Sequence, residues 1–384
     1  MKNEKYTLHE VKTAAEKRAW IDFPKQGLYK DYPNWVCPLD TDIEKVFDPA
    51  HNELFDEGEA IRWVAHDEQG AIVGRIGAFY NREKASIEEQ PTGCCGFYES
   101  IDDQQVANLL FDAARDWLKS KGMEAMDGPV NFGQRRDWWG LLVKGFEYQP
   151  LYMNPYNPPY YQALFENYGF KNYFNQNSYQ WRVGESEASQ RIHDRAARLL
   201  ADPTYHIEPI NKKQLPEAAE HFRAIYNKAW SLFSGVKQMT REEAQQIMKT
   251  MLPIIDPRII LFAYHNDEPI GFFITGPDLM WNLKVKKSCD RVFGIIFGIT
   301  PEYQGKGVES AIMSRYHAFV QSPESEYKSI EMAWIGDFNP VMNRMLVSYA
   351  GAECHKVHTT YRYLFDREKE FKRCPRLGLK RNKE

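Results

Sequence analysis

The chain lacks the features that mark secreted, membrane-spanning and zinc-binding proteins. Its 384 residues include six cysteines, which are scattered without a CxxC pair or a Cys/His group at zinc spacing. No apolar run reaches the length of a membrane-spanning helix. The first twenty residues are polar and charged, without the apolar segment of a signal peptide. We therefore expect a soluble, cytoplasmic protein without disulfide bonds or a metal site.

The chain also lacks the charge of a nucleic-acid-binding protein. Its 49 lysine and arginine residues are outnumbered by 53 aspartate and glutamate residues, which gives a net charge of -4. Binding to a phosphate backbone requires a basic surface, so we expect no nucleic-acid partner. Residues 367–384 are the exception, because they are rich in lysine and arginine. We predict a solvated basic tail there, with peripheral contact to an anionic membrane as the alternative.

Length and a weak internal repeat predict two domains. A single core rarely extends beyond roughly 250 to 300 residues. Residues 61–79 and 259–275 each show two β-rich runs around a polar turn. Each hairpin is followed in the same order by a helix, a strand, a second helix that ends at glycine, and a final strand. The predicted helices span 102–121 and 159–168 in the first copy and 308–321 and 340–349 in the second.

These elements predict an α+β fold of two tandem domains, each a mixed, mostly antiparallel sheet flanked by helices. A polar segment with a charged helix over 187–200 separates the two copies, and Ala201-Asp202-Pro203 ends that helix. The predicted organisation is an N-terminal domain, a linker, a C-terminal domain and the basic tail, at residues 1–183, 184–209, 210–366 and 367–384.

The loop that follows the buried strand 293–300 carries the clearest chemical pattern. Two glycines precede the predicted helix at residue 308, and glycine lets a backbone approach an anion closely. Successive N–H groups of Gly305, Gly307, Val308 and Glu309 are expected to face one concavity at the positive end of that helix. This pattern predicts a pyrophosphate-binding loop. The alternative is an ordinary helix start after a buried strand.

The loop resembles the CoA-binding motif of GNAT acyltransferases, (Gln/Arg)-x-x-Gly-x-(Gly/Ala), with Gln304 first and Gly307 fourth. The sixth position departs from the motif, because Glu309 places a carboxylate beside the expected pyrophosphate. The resemblance implies acyl-CoA as donor substrate, with a strand N–H near Gly298 or Ile299 stabilising the oxyanion. The implied donor-binding residues are Ile299, Gln304, Gly305, Lys306, Gly307, Val308 and Glu309.

The resemblance also exposes a missing acid. Many GNAT proteins protonate the leaving thiolate with a tyrosine four residues before the glycine that closes the second helix, and this chain has Phe165 and Val347 there. Asp337 and Asn339, after the fifth strand of the second copy, are the main catalytic candidates, and Tyr303 and Tyr349 are further candidates whose alternative role is aromatic packing. Helix capping is the alternative role for Asp337.

The N-terminal copy lacks a phosphate loop, since residues 93–102 do not have the required spacing. Two of its loops, 127–140 and 150–161, are instead dense in Asn, Arg, Asp and aromatic residues, a composition typical of a ligand-recognising surface. We predict that Asp137 acts in catalysis there. The predicted acceptor-binding residues in these loops are Asn131, Arg136 and Asn154.

Over nearly its whole length the chain resembles the bacterial ceramide synthase-like family of tandem GNAT proteins. The resemblance rests on segments 128–131, 139–143, 153–161, 168–170 and 226–230 and on the Gln304 loop. It implies N-acylation of a sphingoid long-chain base, a primary amine of amphiphilic character, by a fatty acyl-CoA. It also implies that Tyr226, Asn227 and Trp230 line the acceptor site. Two further interpretations stay open, a Fem-type transferase that uses aminoacyl-tRNA and a non-catalytic acyl-CoA-binding protein.

Overall fold

The computed structural model describes residues 5–87, 90–230, 238–251, 253–285 and 289–376. These residues form two compact units. The first unit comprises the described residues of Met1–Asn177, Trp334–Pro340 and His355–Glu384, and the second comprises those of Ser178–Ala333 and Val341–Cys354. Each unit is described below by itself.

The first unit contains a sheet with the strand order β1-β2-β3-β4-β5-β13, in which β6 also pairs with β13. Its neighbouring strands are antiparallel except for the parallel pair β4 and β5. The elements from the N-terminus are β1 Tyr6–Glu10, α1 Ala14–Asp22, α2 Asp40–Val46, β2 Gly58–Asp67, β3 Ile72–Asn81, α3 Arg82–Ile87, β4 Thr92–Ser100, α4 Gln104–Ser120, β5 Ala125–Gly128, β6 Leu141–Lys144, α5 Tyr161–Tyr168 and β7 Lys171–Arg182.

The second unit contains strands in the order β12-β11-β10-β9-β8, all antiparallel except for β11 and β12. A π-helical turn, Met345–Tyr349, continues its last helix. The remaining elements of the chain are α6 Gln190–Leu200, β8 Tyr205–Pro209, α7 Leu215–Trp230, α8 Arg241–Met251, β9 Ile260–His265, β10 Glu268–Pro277, α9 Leu279–Val285, β11 Arg291–Ile299, α10 Val308–Val320, β12 Ser329–Gly336, α11 Pro340–Arg344 and β13 Glu353–Leu364. Of these, β13 belongs to the first unit from His355 onwards.

Both copies show the predicted hairpin, helix, strand, helix and strand, with one further strand, β4 or β11, between the hairpin and the first helix, and the α+β fold class is confirmed. The amphipathic pattern of α4 explains its position, because Val106, Leu110, Ala114 and Leu118 recur every four residues and are fully buried. The β9–β10 hairpin turns at Asn266 and Asp267, which have φ angles of 48° and 64°. Asn and Asp tolerate this left-handed backbone better than other non-glycine residues.

The final strand does not follow the predicted domain boundary. We assigned residues 210–366 to one domain, but β13 pairs with β5 of the first unit, with Tyr361 opposite Gly128. A buried ion pair joins the two strands, because Arg362 donates to both carboxylate oxygens of Asp127 at 2.6 and 2.8 Å. Tyr361 and Tyr363 complete the first unit's core. These long-range contacts decide which sheet β13 joins, and local sequence does not encode them.

Part of the basic tail packs on the first unit. Arg373 pairs with Asp337 at 2.7 Å, and Lys369 pairs with Glu124 at 3.3 Å. The Arg367 guanidinium lies 4.4 Å from the centre of the Tyr363 ring. These three cations therefore have partners within the protein. Residues 377–384 lie outside the described part of the chain. Within the described part, no helix combines the length and apolar character needed to cross a bilayer.

One buried histidine gives the second unit a pH-sensitive core. The His317 ring stacks on Trp181 with 4.5 Å between ring centres and is 4% exposed. Burial, with a smaller contribution from His193, lowers the pKa of His317 to about 4. The imidazole is therefore neutral in the folded protein throughout the neutral and mildly acidic range.

We predict that His317 destabilises the protein as the pH falls from about 6.5 towards 4. The unfolded chain binds a proton near pH 6.5 and the folded chain does not, so stability present above that pH is lost below it. The expected loss from this residue is about 2 kcal/mol between pH 7 and 4.5. Urea unfolding at several pH values measures it. His317→Phe keeps the stacked ring and should lose less stability over this range than the wild type. His206→Phe, at a half-exposed ring stacked on Tyr264, serves as the matched control.

Candidate functional site

The candidate site lies in the second unit where two parallel strands separate. β11 and β12 pair from Arg291 to Gly294 and from Ser329 to Met332, and no further pairing between them occurs in the described residues. On its other edge, β11 stays paired with β10 as far as Ile299. Residues 295–299 therefore have one edge that β12 no longer satisfies. Backbone groups on such an edge need another hydrogen-bond partner.

The strand register identifies which N–H group faces this edge. Thr300 N–H donates to Ile270 O at 2.9 Å, so it points towards β10. Backbone direction alternates along a strand, so Gly298 N–H also points towards β10 and Ile299 N–H points away from it. Gln304 Nε2 donates to Ile299 O at 3.1 Å on the same edge. Of the two predicted oxyanion donors, the structure favours Ile299.

The loop after β11 leaves the start of α10 open to an anion. A 3₁₀ turn at Pro301–Tyr303 leads into Gly305 and Gly307, which have φ angles of 75° and 105°. Gly307 is the N-cap of α10, and no side chain caps the helix. The first N–H groups of a helix have no partner inside it. The loop therefore has the local structure expected of a phosphate-binding loop.

The two glycines face different surroundings. A Cβ atom at Gly305 would meet no atom within 4 Å, so this position is open. A Cβ atom at Gly307 would lie 3.5 Å from Arg195 O and 3.9 Å from Leu199 Cβ, both on α6. A bulky residue at Gly307 would therefore displace α6 as well as block the loop. Gly305 is the better position for a mutation that tests the loop alone.

The structure shows that the carboxylate of Glu309, at the sixth motif position, has a cationic partner. Arg195 on α6 donates to Glu309 Oε1 at 2.7 Å and to Gly305 O at 3.1 Å. The carboxylate that the motif lacks is thus paired with a cation from another helix. The pair is mostly shielded from solvent, since the Arg195 and Glu309 side chains are 30% and 19% exposed. Glu309 therefore does not present an uncompensated negative charge to the loop.

A groove of about 580 Å³ adjoins the loop. Lys306 and Gly305 form part of its wall, and α6 with the following turn forms the rest. Its lining residues are Arg195, Arg198, Leu199, Asp202, Tyr205, Gly305 and Lys306. The groove and the anion-accepting loop are thus continuous.

The equivalent place in the first unit is closed by the chain itself. β4 and β5 pair in parallel from Thr92 to Cys94 and then separate, like β11 and β12. Val130 N–H then donates to Cys95 O at 2.9 Å. The Val130 carbonyl lies so close to Gly96 that a Cβ atom there would collide with it. The gap between the strands is therefore filled by the protein's own backbone.

The helix after β4 is closed as well. Asp103 is the N-cap of α4, and its Oδ1 accepts a hydrogen bond from Gln105 N at 2.8 Å. Its Oδ2 accepts from Tyr6 OH at 2.7 Å and from Lys5 Nζ at 3.2 Å. A carboxylate of the chain occupies the position that an anionic ligand would take. Between β4 and α4, where every residue is described, the first unit therefore leaves no helix start open to an anion.

The predicted acceptor residues of the first unit lie on two connected loops. Trp138 N–H donates to Met153 O at 2.6 Å, and both residues have positive φ, 43° and 57°. Left-handed backbone at large non-glycine residues is strained and is common at functional sites. Phe97, also at positive φ, packs against the Trp138 ring with 5.7 Å between ring centres. This strained cluster holds the loops 129–140 and 150–158 together.

The polar residues of these loops differ in their surroundings. Asn131 is 5% exposed, and its Oδ1 has no hydrogen-bond partner among the described residues. Asp137 accepts a bond from Arg136 Nε at 3.0 Å, and their side chains are 15% and 55% exposed. Asn154 N–H donates to Leu151 O at 3.0 Å in a backbone turn.

The predicted acceptor residues of the second unit separate into two groups. Trp230 lies against the glycine face of β11, since a Cβ atom at Gly298 would be 2.7 Å from its ring. Tyr226 stacks on Trp230 with 5.0 Å between ring centres. Asn227 instead binds the backbone of Met239 through both its amide oxygen and nitrogen, at 2.8 and 2.9 Å. This reciprocal pair indicates a structural role for Asn227.

Asp337 and Asn339 belong to the first unit. Asp337 pairs with Arg373 at 2.7 Å, and its N–H donates to Asn175 O. Asn339 N–H donates to Gly336 O in the turn before α11. Val347, at the position of the usual tyrosine, is 51% exposed. Among the residues that the structure describes, no three His, Cys, Asp or Glu side chains are grouped as a metal site would need.

The sequence analysis missed the contribution of α6. We predicted this helix as part of a linker, yet it supplies Arg195 to Glu309 and Arg198 to the groove wall. Arg191, Arg195 and Arg198 recur at helical spacing, so they share one face of the helix. That basic stripe was visible in the sequence, but its partner was not.

Comparisons with known proteins show which fold the chain has. No protein-family model matches the chain. A tandem GNAT protein from the clavulanic acid biosynthesis pathway superposes with a TM-score of 0.53 and 12% identity, covering 94% of this chain and 98% of that one. The chain has the tandem GNAT fold. A GCN5-related glucosamine N-acetyltransferase region in a fungal multi-domain β-N-acetylglucosaminidase gives a TM-score of 0.55 at 13% identity. This comparison covers 93% of our chain and 38% of that longer protein.

Two curated bacterial proteins are similar over nearly the whole tandem GNAT chain. Protein YghO of Escherichia coli (strain K12) is 28% identical over 369 residues, which cover 90% of this chain and 92% of that protein. The bacterial ceramide synthase of Caulobacter vibrioides (strain NA1000 / CB15N) is 26% identical over 378 residues, covering 91% and 95%. The predicted resemblance to bacterial ceramide synthase-like tandem GNAT proteins is therefore confirmed.

We predict that Arg195 and Glu309 stabilise this protein jointly. Arg195→Met leaves a half-buried carboxylate without its cation and should lower the free energy of unfolding by about 1 kcal/mol. Glu309→Gln in the same background should recover part of that loss. Urea unfolding of both single variants and the double variant measures the coupling. Arg191→Met, at an exposed arginine on the same helix, is the control. Additive effects of the two substitutions would contradict the coupling.

Proposed function

We propose that the protein is an acyl-CoA-dependent N-acyltransferase that transfers an acyl group from a CoA thioester to a primary amine, with a sphingoid long-chain base as the acceptor class. One observation carries the proposal. In the second unit, α10 follows a strand that separates from its parallel partner, and its N-cap is a glycine, so no side chain covers the helix start. In the first unit, Val130 fills the gap between the strands and Asp103 caps the helix. The start of α10, which no side chain covers, is therefore the position suited to the acyl-CoA donor.

The donor binds at the loop before α10. The pyrophosphate accepts hydrogen bonds from the N–H groups of Gly305, Gly307 and Val308, where the helix dipole favours negative charge. Gln304 anchors the loop to β11 through Ile299 O. Arg195 removes the repulsion that Glu309 would otherwise cause.

The transfer forms a C–N bond and breaks the thioester C–S bond. A neutral amine attacks the carbonyl carbon, so its proton must pass to a base, and the leaving thiolate must receive one. Ile299 N–H, which faces away from β10, stabilises the oxyanion that forms during attack. We assign the base to Asp137. Asp337 and Asn339 stay candidates for the acid in place of the missing tyrosine, although Asp337 would first have to leave Arg373.

Each unit, taken by itself, offers candidate residues for acceptor recognition. Tyr226 and Trp230 offer stacked rings of the kind that an alkyl chain packs against. Asn131, Arg136 and Asn154 offer polar groups for the amine and hydroxyl groups of a sphingoid base. The similarity to a bacterial ceramide synthase supports this acceptor class.

Replacing Gly305 tests the donor loop. Gly305→Asp places a carboxylate in the open space beside the expected pyrophosphate, and Gly305→Asn adds a side chain of nearly the same shape without charge. Both residues tolerate the left-handed backbone of this position. We predict that Gly305→Asp binds CoA at least about tenfold more weakly than Gly305→Asn. Isothermal titration with CoA and palmitoyl-CoA measures this difference. Equal affinities would contradict the assignment of the loop.

A wild-type protein that binds none of these thioesters would contradict the donor itself. The Fem-type and non-catalytic interpretations would then be the ones to pursue. Palmitoyl-CoA is expected to bind more tightly than CoA, because a lipid acyltransferase buries part of the acyl chain.

Replacing Asp137 tests the proposed base. We predict that Asp137→Asn lowers the rate of N-acyl product formation from palmitoyl-CoA and a sphingoid base by about 100-fold, because general-base catalysis is lost. CoA affinity should be unchanged in the variant. Product is measured by mass spectrometry and thiol release by absorbance. Asp116→Asn, which changes a carboxylate that pairs with the adjacent Arg115 on α4, outside these loops, is the matched control. Wild-type kinetics in Asp137→Asn would show that these loops are structural.

A further inference from the structure

The groove beside the donor loop contains two cations that no carboxylate neutralises. In the part of the chain that the structure describes, neither Arg198 nor Lys306 forms an ion pair. Arg198 donates to the backbone oxygen of Asp194 at 3.3 Å, and Lys306 Nζ lies 4.9 Å from the centre of the Tyr303 ring. Both side chains line the groove and are exposed. Such a pair of cations attracts a phosphate group.

The other charged groups of the groove are already engaged. Arg195 is held by Glu309 and by Gly305 O. Asp202 Oδ1 accepts hydrogen bonds from Thr204 N–H at 3.0 Å and from Thr204 Oγ1 at 2.7 Å. The Thr204 donors are neutral, so Asp202 keeps its negative charge. The two free cations, Arg198 and Lys306, outnumber this one carboxylate, so the net charge that the groove offers to a ligand is positive.

An aromatic ring completes the groove. The Tyr205 ring lines it and stacks on His265 with 4.3 Å between ring centres and an interplanar angle of 25°. His265 in turn is within hydrogen-bond distance of Tyr303 OH, at 2.8 Å. Tyr205 is thereby supported on one face. A supported ring beside two cations matches a nucleotide, whose base stacks while its phosphate binds the cations.

We propose that this groove binds the 3′-phosphoadenosine end of CoA, with Arg198 and Lys306 on the ribose 3′-phosphate and Tyr205 stacked on the adenine. The inference rests on the proposed donor function and extends it to an element, α6, that the loop motif does not include. Lys306 directly follows Gly305, so a phosphate one ribose away from the pyrophosphate lies within reach of both features. The linker helix thus acts as a wall of the donor site.

Titration with CoA and 3′-dephospho-CoA tests the proposal, since the two ligands differ by this phosphate alone. The wild type should bind 3′-dephospho-CoA about tenfold more weakly than CoA, the loss of one or two charge-assisted hydrogen bonds. Arg198→Met should weaken CoA binding about tenfold and change 3′-dephospho-CoA binding less than about twofold. Arg191→Met, an exposed arginine of α6 outside the groove, should bind both ligands like the wild type.

Two substitutions of Tyr205 test whether its ring stacks on the adenine. Tyr205→Ala should weaken both ligands, and Tyr205→Phe should weaken neither, because the phenyl ring still stacks. Wild-type melting temperatures in all variants establish that the fold is intact.

Two outcomes would overturn the inference while leaving the donor function standing. One is wild-type CoA affinity in Arg198→Met. The other is an equal loss for both ligands in that variant, which would place Arg198 on the pyrophosphate instead. A wild type that binds neither ligand would overturn the proposed donor function, and the groove assignment with it.

Discussion

A strand that leaves its parallel partner exposes backbone hydrogen-bond groups that must find new partners, and this constraint shapes both units. In the first unit, the backbone at Val130 supplies the new partner, because Val130 N–H donates to Cys95 O and the Val130 carbonyl packs against Gly96. In the second unit, β11 keeps β10 on one side and turns Ile299 N–H to the other. The same topology thus yields a closed core in one copy and an edge suited to a substrate carbonyl in the other.

The two units also differ at the N-cap of the helix that follows the separating strand. Asp103 brings a carboxylate to the start of α4, and Gly307 brings no side chain to the start of α10. Both ends carry the same partial positive charge. An internal anion satisfies the first, so an external anion is favoured at the second. A helix start can therefore be closed to an anion without a change in fold, by a side chain that takes the anion's place.

Most of the fold could be predicted from the sequence because its elements depend on local patterns. The spacing of Val106 and Leu110 predicts α4, and the glycines before residue 308 predict the loop. Contacts between distant segments could not be predicted. The pairing of Arg362 with Asp127, which carries β13 into the first unit's sheet, joins residues 235 positions apart. The Asn227 amide likewise looked free for a ligand until the backbone of Met239 was seen to use it.

Glu309 shows why the charge of a binding motif has to be counted over the packed structure. Along the sequence, its carboxylate weakens the case for an anion site. In the fold, α6 packs on α10 and supplies Arg195, so the motif becomes neutral at this position. The contact that neutralises Glu309 also fixes α6 beside the loop, where Arg198 adds positive charge to the groove. A glycine at the sixth position would leave Arg195 without this partner and remove one reason for α6 to stay in place. The acidic residue therefore adds to the positive charge of this surface through the helix that it holds.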